Sequence, residues 1–278
     1  MWADGALVRA GDATLAALDH AITVGDGVFE AAKLVHGRPF ALRRHLDRLA
    51  RSCASLGLPP FDRSAVLAAV ERVLDANAGI LAPATHAILR VTHTGGTGPI
   101  GSDRLAEPKP RLLVAVTWHD APTPPGTAIT LPFSRNEKGA LAGVKSTSYA
   151  ENAMALARAR AAHADEAIFP NTAGNLCEGT RSNVFVGFGG KLVTPPLSDG
   201  ALAGITRELL LEWTDATEET VPMSALADAD EVFIASTGND VFSIVAIDGR
   251  PVGDGAIGPL TQRAAAAFAV GQARSLEP

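Results

Sequence analysis

This chain of 278 residues has few aromatic residues, few cysteines and a small net charge. Its two cysteines, Cys53 and Cys177, form neither a metal-ligand spacing nor a disulfide framework, so we expect no metal site. The net charge of −6 provides no basic surface, which argues against a nucleic-acid-binding protein. No apolar run approaches the roughly 18 residues of a membrane span, which argues against a membrane protein.

The first residues, MWADGALVRAGD, include acidic side chains and lack the apolar core of a signal peptide. We therefore expect an untargeted, cytoplasmic protein. Hydrophobic residues make up 47% of the chain and no block of like charge interrupts it, which argues against disorder. A chain of this length can bury a large core in one domain or in two of medium size. The composition favours a globular enzyme and does not indicate its reaction.

Hydrophobic periodicity predicts a mixture of strands and helices. Apolar residues at every third or fourth position predict a helix over 43–58, and a second helix is predicted over 64–79. A strand, a turn at His36-Gly37 and another strand are predicted within 24–40. Further strands are predicted over 6–10, 86–93, 111–118, 128–133, 165–170, 182–188, 231–237 and 241–249, and further helices over 148–164, from Ile205 and from about Gly258.

A proline-rich segment divides the chain. Residues 119–126 (HDAPTPPG) hold three prolines and a glycine, a composition typical of a connection between domains. We therefore predict a small N-terminal α/β domain over 1–118, a linker over 119–126 and a larger C-terminal domain over 127–278. The expected fold class is α/β or α+β, in two lobes.

Lys145 and Glu178 are the first candidate site residues. Lys145 lies in GVKSTSYAEN, just before a predicted helix, where a lysine is most often a solvated charge. A partly desolvated lysine can instead form a Schiff base with a carbonyl group. Glu178 lies where CEGTRSNVFV enters a predicted strand, and a glutamate there is usually a turn charge. A carboxylate on a rigid strand can also pair with the protonated nitrogen of a pyridine ring.

Three further segments are candidates for binding an anion. Ile205 and Thr206 open a predicted helix after Gly204, and the first amides of a helix point outward unpaired. The segment STGND, which contains Thr237, follows a buried strand as a second cluster of hydroxyl and amide groups. Arg48 either decorates a helix surface or binds a phosphate through two hydrogen bonds. Each segment alone is more simply explained as an ordinary cap or surface residue.

Taken together, six motifs occur in an order and spacing that resemble one enzyme family. They are GDGVFE at 25–30, HLDRL at 45–49, GVKSTSY at 143–149, EGTRSNVF at 178–185, GITRE at 204–208 and ASTGN at 235–239. On these motifs the chain resembles the fold type IV (class IV) pyridoxal 5′-phosphate (PLP) enzymes over nearly its whole length. That family includes D-amino-acid aminotransferases, branched-chain aminotransferases, (R)-amine transaminases and 4-amino-4-deoxychorismate lyases.

The resemblance implies a PLP site between two lobes, completed by the neighbouring subunit of a homodimer. By the family pattern, Lys145 holds PLP as a Schiff base and later moves a substrate proton. Glu178 binds the pyridine nitrogen, and Tyr149 binds the phenolic oxygen of the cofactor. The phosphate is expected to be bound by Arg48, by the amides of Ile205 and Thr206, and by Thr237.

The segment VFEAAKLVHG favours one branch of the family. Ala32 and Lys33 stand where branched-chain aminotransferases tend to carry a glycine and an arginine, which is closer to the D-amino-acid aminotransferase pattern. We therefore expect a transaminase that passes an amino group from a D-amino acid, or an (R)-amine, to 2-oxoglutarate, pyruvate or a similar 2-oxo acid. The candidate substrate-binding residues are Phe29, Lys33, Arg90 and Arg104.

The loop after the predicted strand 86–93 leaves alternatives open. Its sequence, TGGTGPIGSDR, keeps no close Arg-x-His pair of the kind that binds the substrate carboxylate in D-amino-acid aminotransferases, so Arg90 and Arg104 are considered instead. The same loop resembles 4-amino-4-deoxychorismate lyases, which release pyruvate and 4-aminobenzoate for folate synthesis. A branched-chain L-amino-acid aminotransferase is a second alternative. A binding protein without catalysis is disfavoured by the presence of both Lys145 and Glu178.

Overall fold

The computed structural model describes residues 1–81, 86–118 and 123–278, which form two compact units. The first unit comprises the described residues of Met1–Ala121, together with Val144–Tyr149 and Glu277. The second comprises the described residues of Pro122–Gly143, together with Ala150–Leu276 and Pro278. Residues 119–122 of the predicted linker lie outside the described residues.

The first unit contains a six-stranded sheet whose strand order is β2-β1-β6-β5-β3-β4, with antiparallel pairing throughout. In chain order its elements are β1 (Trp2–Ala3), β2 (Ala6–Leu7), a 3-10 helix (Ala10–Asp12), α1 (His20–Thr23), β3 (Gly27–Val35), β4 (Arg38–Pro39), α2 (Leu42–Leu56), α3 (Arg63–Leu81), β5 (Ala87–Thr94) and β6 (Arg111–Trp118). His36 and Gly37 both have positive φ, 50° and 76°, which confirms the predicted turn between β3 and β4.

The helix α2 confirms the helix predicted over 43–58. Leu46, Leu49 and Cys53 are all buried, so the apolar side chains at helical spacing do form one inward face. The helix ends at Gly57, whose positive φ of 67° is suited to glycine at a helix C-terminus. The N–H of Gly57 donates to carbonyl groups of the last turn.

The strand β3 presents different chemistry on its two faces. Its register places Ala31 opposite Arg90 of β5, so side chains at odd-numbered positions of β3 share a face with Arg90. Side chains at even-numbered positions lie on the other face. That face includes Val28, which is buried in one core cluster with Leu46 of α2.

Residues Val144–Tyr149, which the predicted division assigns to the C-terminal domain, pack in the first unit instead. The N–H of Phe29 donates to the carbonyl of Lys145 (3.0 Å), and the N–H of Thr147 donates to the carbonyl of Gly27 (2.8 Å). These hydrogen bonds attach the segment to the start of β3. A Cβ atom at Gly27 would lie 3.0 Å from the Thr147 hydroxyl, so glycine permits the close approach.

The second unit contains a nine-stranded mixed sheet with strand order β12-β11-β10-β13-β14-β7-β8-β9, and β15 pairs with β14. Its strands are β7 (Gly126–Thr130), β8 (Glu166–Pro170), β9 (Leu176–Gly179), β10 (Asn183–Phe188), β11 (Lys191–Thr194), β12 (Thr217–Glu218), β13 (Glu231–Ser236), β14 (Asp240–Ile247) and β15 (Arg250–Pro251). Its helices are α4 (Ala150–Ala161), α5 (Ile205–Trp213), α6 (Pro259–Arg274) and the 3-10 helices Leu197–Asp199 and Met223–Asp228.

The centre of the second sheet is formed by β10 and β13. Phe185 and Phe233 face each other across these strands, and their rings stack with centroids 4.8 Å apart. Both side chains are fully buried, as expected for strands predicted from continuous apolar runs. None of the helices within 1–81, 86–118 and 123–278 is long and apolar enough to cross a membrane.

Candidate active site

Lys145 lies beside two aromatic rings of the first unit. Its Nζ is 4.6 Å from the centroid of the Phe29 ring and 5.9 Å from that of the Tyr149 ring. These rings contact each other edge to face, with centroids 5.4 Å apart. The backbone N–H of Lys145 donates to the Ser52 hydroxyl (3.3 Å). The half-buried amine is therefore held in an environment suited to a nucleophilic lysine.

Arg90 contacts the same ring as Lys145. Its guanidinium carbon lies 3.7 Å from the centroid of the Phe29 ring, and its Nε donates to the Thr92 hydroxyl (3.2 Å). Arg90 is exposed, whereas Phe29 beneath it is only 5% exposed. The structure thus brings an accessible cation, Lys145 and Tyr149 together around one phenyl ring. A cation so placed is able to bind a carboxylate group near the amine.

Arg48 lies on the even-numbered face of β3, in contact with a buried carboxylate. Its Nε and Nη2 each donate to Glu30, to the two different oxygens, at 2.7 Å. The Nδ1 of His45 lies 2.7 Å from Oε2 of the same carboxylate. Burial alone would raise the pKa of Glu30, but the charge of Arg48 and the hydrogen bonds from Arg48 and His45 lower it to about 2. All three side chains are buried.

The other two candidate substrate residues lie in different surroundings. Lys33 is on the Phe29 face of β3, but four residues, or about 13 Å, further along the strand. The Nε and Nη2 of Arg104 donate to Asp26 at 2.7 and 2.6 Å. Arg104 also donates to the carbonyls of Leu56 (2.8 Å) and Gly57 (2.7 Å) at the end of α2. Within the described residues, these contacts attach Arg104, at the end of the 95–104 loop that follows β5, to Asp26 and to the end of α2.

Glu178 lies in β9 of the second unit, where one carboxylate oxygen accepts a hydrogen bond and the other lies beside a positive charge. The N–H of Leu202 donates to Oε2 (2.9 Å), and Oε1 lies 3.3 Å from Nη2 of Arg135. Arg135 in turn rests on the Phe169 ring, with its guanidinium carbon 4.2 Å from the centroid. The Leu202 amide and the charge of Arg135 together restrict the position of the Glu178 carboxylate. Arg135 is not predicted from the sequence, because the segment SRNEKGA belongs to none of the six motifs.

The start of α5 has the features of an anion site. Gly204 is the N-cap residue, and no side-chain hydrogen bond caps the helix within the described residues. Ile205 and Thr206 form the first turn and are buried, so their amides lie in a shielded position. A Cβ atom at Gly204 would collide with the side-chain oxygen of Asn183, which explains the glycine.

Thr237 lies at the same end of the sheet as the start of α5. It follows β13, and Ala235 of that strand is paired with Asn183 of β10. Asn183 is in turn the neighbour of Gly204, and its amide donates to the carbonyl of Leu202 (2.8 Å). The second unit therefore brings Thr237 and the first amides of α5 to one region.

The side chains of the two units have the chemistry that PLP requires. The first unit offers a lysine amine, a tyrosine and a buried arginine, and the second offers a fixed carboxylate and an uncapped helix start. An amine binds an aldehyde, a carboxylate pairs with a pyridine nitrogen, and arginine and helix amides bind a phosphate. The residues present therefore fit the cofactor.

Residues 27–247 match the model of amino-transferase class IV. The chain belongs to the class IV aminotransferase family. This family depends on PLP, and the mixed α/β class expected from the sequence is confirmed. The recognition of fold type IV from six motifs is likewise confirmed, although the family contains more than one activity.

Relatives with more than one assigned activity resemble this aminotransferase over nearly its whole length. A Methanocaldococcus jannaschii protein assigned as a branched-chain-amino-acid aminotransferase is 31% identical, covering 95% of this chain and 93% of its own. The D-alanine aminotransferase of Bacillus licheniformis is 29% identical, covering 93% and 92%. A hypothetical aminotransferase from Mycobacterium tuberculosis, solved in its PLP-bound form, is 26% identical, covers 96% of this chain and 97% of its own, and has a TM-score of 0.80.

Proposed function

We propose that this class IV aminotransferase moves an amino group from a D-amino acid, or an (R)-amine, to a 2-oxo acid such as 2-oxoglutarate or pyruvate. The observation that carries the proposal is the half-buried amine of Lys145 beside the rings of Phe29 and Tyr149. The D-alanine aminotransferase relative and the Lys33 pattern of β3 support a D-configured donor. Donor and acceptor use the same site in turn, which is a ping-pong reaction.

Lys145 is the proposed catalytic residue. Its amine would hold PLP at the aldehyde carbon and, once displaced from that carbon by the amine of the substrate, would carry a proton to and from the α-carbon of the substrate. Bound PLP supplies an electron sink for the charge that develops at that carbon. The contacts of Lys145 with Phe29 and Tyr149 restrict the positions that the amine can take, which favours a single approach to the α-carbon.

The cofactor-binding roles follow from the groups that each residue offers. Glu178, held by the Leu202 amide and Arg135, is the proposed partner of the pyridine nitrogen. Tyr149 is the proposed partner of the phenolic oxygen. The proposed phosphate-binding groups are Arg48, the amides of Ile205 and Thr206, and Thr237.

Arg90 is the proposed partner of the substrate carboxylate. It is exposed and contacts the Phe29 ring that also contacts Lys145, so a carboxylate bound there lies close to the amine. Phe29, whose ring contacts both Arg90 and Lys145, is the proposed apolar contact of the substrate. Lys33 and Arg104 remain secondary candidates, since their positions on β3 and at the loop end support a direct contact less well.

A homodimer in the cytoplasm is the proposed working form. Several apolar side chains of the first unit are exposed near the bridge between Asp19 and Thr97, and Ile22 and Ile100 are 57% and 88% exposed. Exposed apolar side chains close together support contact with a second subunit. Cys53 and Cys177 are both unbonded, as in proteins of reducing compartments.

A half-reaction screen of the holoenzyme tests the proposal. Without any keto acid, we expect D-alanine or D-glutamate to shift the cofactor absorption to that of the aminated form. The Lys145→Ala variant should not respond. A response to L-leucine alone would identify a branched-chain L-amino-acid aminotransferase, and no response to any D-amino acid or (R)-amine would overturn the proposal.

The glycine-rich loop TGGTGPIGSD supports a lyase as the second candidate function. In that case Lys145 drives elimination of pyruvate from 4-amino-4-deoxychorismate. Incubation with this substrate, without a keto acid, would then release 4-aminobenzoate and pyruvate in equal amounts. We expect no such release, and finding it would replace the transaminase with the lyase.

A further inference from the structure

Glu30 and His45, which the sequence did not single out, form a buried cluster with Arg48. We propose that Glu30 and His45 are positioning residues that hold the guanidinium of Arg48 in the orientation in which it binds the cofactor phosphate. The inference rests on the proposed function, because it takes the phosphate-binding role of Arg48 from there. Glu30 contacts Arg48, and His45 contacts Glu30. Neither is proposed to contact the phosphate.

The pairing of Arg48 with Glu30 fixes the plane of the guanidinium. Two parallel hydrogen bonds of 2.7 Å run from the Nε–Nη2 edge of Arg48 to the two oxygens of Glu30. A guanidinium carries five N–H donors in one plane, so a pair made on one edge sets the direction of the edge that carries Nη1. The contact therefore determines where the remaining donors of Arg48 point.

His45 fixes the carboxylate in turn. His45 and Arg48 lie three residues apart on α2 and thus on one face of the helix, from which both reach Glu30. Burial and the charges of Arg48 and Lys145 together lower the pKa of His45 more than Glu30 raises it, so the imidazole is neutral near pH 7. Because the Glu30 carboxylate carries no proton, the hydrogen of the 2.7 Å contact is on Nδ1 of His45.

The charges indicate that orientation, and not attraction, is the contribution of Glu30. Its negative charge offsets that of Arg48 and, taken alone, would weaken the attraction for a phosphate dianion. A guanidinium that is only 4% exposed would, however, be unfavourable without a paired charge. Glu30 therefore allows a buried, ordered Arg48 to exist before the phosphate arrives.

The position of Glu30 in the chain links this cluster to the amine of Lys145. Glu30 follows Phe29 directly in β3, so the two side chains point to opposite faces of the strand. Phe29 contacts Lys145 on one face, and Glu30 binds Arg48 on the other. A single strand thus sets the positions of the amine and of the phosphate-binding arginine.

The test compares PLP with pyridoxal, which has the same aldehyde and ring but no phosphate. Dissociation constants of both are measured by absorbance when they are added to the full-length apoenzyme. For Glu30→Gln and His45→Leu we expect PLP binding to weaken about tenfold or more, and pyridoxal binding to stay within about twofold of wild type. His45→Asn, whose side-chain amide is able to donate from near the Nδ1 position, should restore most of the PLP affinity.

Asp47→Asn is the matched control, because Asp47 is a half-exposed carboxylate on the same helix that pairs with Arg63. It should bind both compounds as wild type does. His45→Leu removes no buried charge, so it remains informative if Glu30→Gln does not fold.

The outcomes separate this inference from the proposed function. Equal binding of PLP and pyridoxal by the wild-type protein would mean that Arg48 does not bind the phosphate, and the proposed cofactor site would fail. If the wild-type protein prefers PLP but the variants weaken both compounds alike, the cluster is structural only and the inference is overturned. Unchanged PLP affinity in Glu30→Gln and His45→Leu would overturn it as well.

Discussion

Glu30 is the residue whose surroundings give the sharpest expectation for stability. Its pKa is lowered from an ordinary value of 4.5 to about 2 by Arg48 and His45, against the effect of burial. The folded protein therefore holds fewer protons than the unfolded chain between these pH values, so this contribution is complete above pH 4.5 and is lost as the pH falls towards 2. The contribution of this lowered pKa to the free energy of unfolding is on the order of 3 kcal/mol. Urea unfolding at about pH 6 and about pH 3 should show the stability difference between wild type and Glu30→Gln shrinking at the lower pH, and a constant difference would contradict the assignment.

Arg135 gives a prediction for activity. It is the cation beside Glu178, and replacing it with glutamine leaves the Leu202 amide as the donor that still orients the carboxylate. We expect Arg135→Gln to slow the half-reaction with D-alanine about tenfold, as is common for residues that orient a functional side chain. Stopped-flow absorbance measures the rate. Arg160→Gln, at an exposed position of α4, is the control, and equal rates for both variants would show that the pairing is unimportant.

Single residues differed in how far sequence could predict them. Lys145 and Glu178 stood out because their motifs belong to the set of six that resembles one family, whereas their partners Ser52 and Leu202 are distant in sequence. Glu30 had a detectable signal, because it is a charged residue among the apolar residues at even-numbered positions of β3. A charged side chain on a buried face needs a partner. Arg135 had no such signal, because it lies in none of the six motifs, and its contacts with Glu178 and Phe169 are made only in the folded chain.

Among the elements, long periodic segments were predicted well and short ones were not. The strands β5 and β6 and the helices α2 and α3 agree with the predicted ranges within about two residues. The four-residue strands β9 and β11 were not predicted, because LCEG and KLVT are too short to show a period. Val144–Tyr149 joined the first unit because its hydrogen bonds run to β3, which no local pattern reveals.

The attachment of the 95–104 loop to Asp26 can be tested by substitution. Arg104 binds Asp26 through two hydrogen bonds, and lysine cannot reproduce that planar pair. If the pair positions the loop, Arg104→Gln and Asp26→Asn should raise the KM for the amino donor by similar factors, and the double variant should be no worse than either single one. Steady-state kinetics of the three variants decide this. A large effect of Arg104→Gln with none of Asp26→Asn would indicate direct contact of Arg104 with substrate.

For the whole molecule, the exposed apolar side chains of the first unit predict self-association. Ile100 is 88% exposed and belongs, with Ile22, to the exposed apolar side chains near the bridge between Asp19 and Thr97, and a group of this kind supports contact with a second subunit. Ile100→Asp should therefore shift the protein from dimer towards monomer in sedimentation velocity at micromolar concentration. Ile80→Asp, at a 48% exposed position of α3, is the control. Dimers that persist unchanged in Ile100→Asp would place the subunit contact elsewhere.

The alternation of side chains along β3 has a consequence for how this enzyme could diversify. Odd-numbered positions face the amine and the proposed substrate, and even-numbered positions face α2 and Arg48. Substitutions at odd positions can therefore alter substrate choice while the residues that hold Arg48 stay unchanged. An insertion or deletion of one residue within Gly27–Val35 would exchange the two faces and lose both at once. Descendants of this chain are thus free to vary in the side chains at odd-numbered positions of β3 but not in strand length.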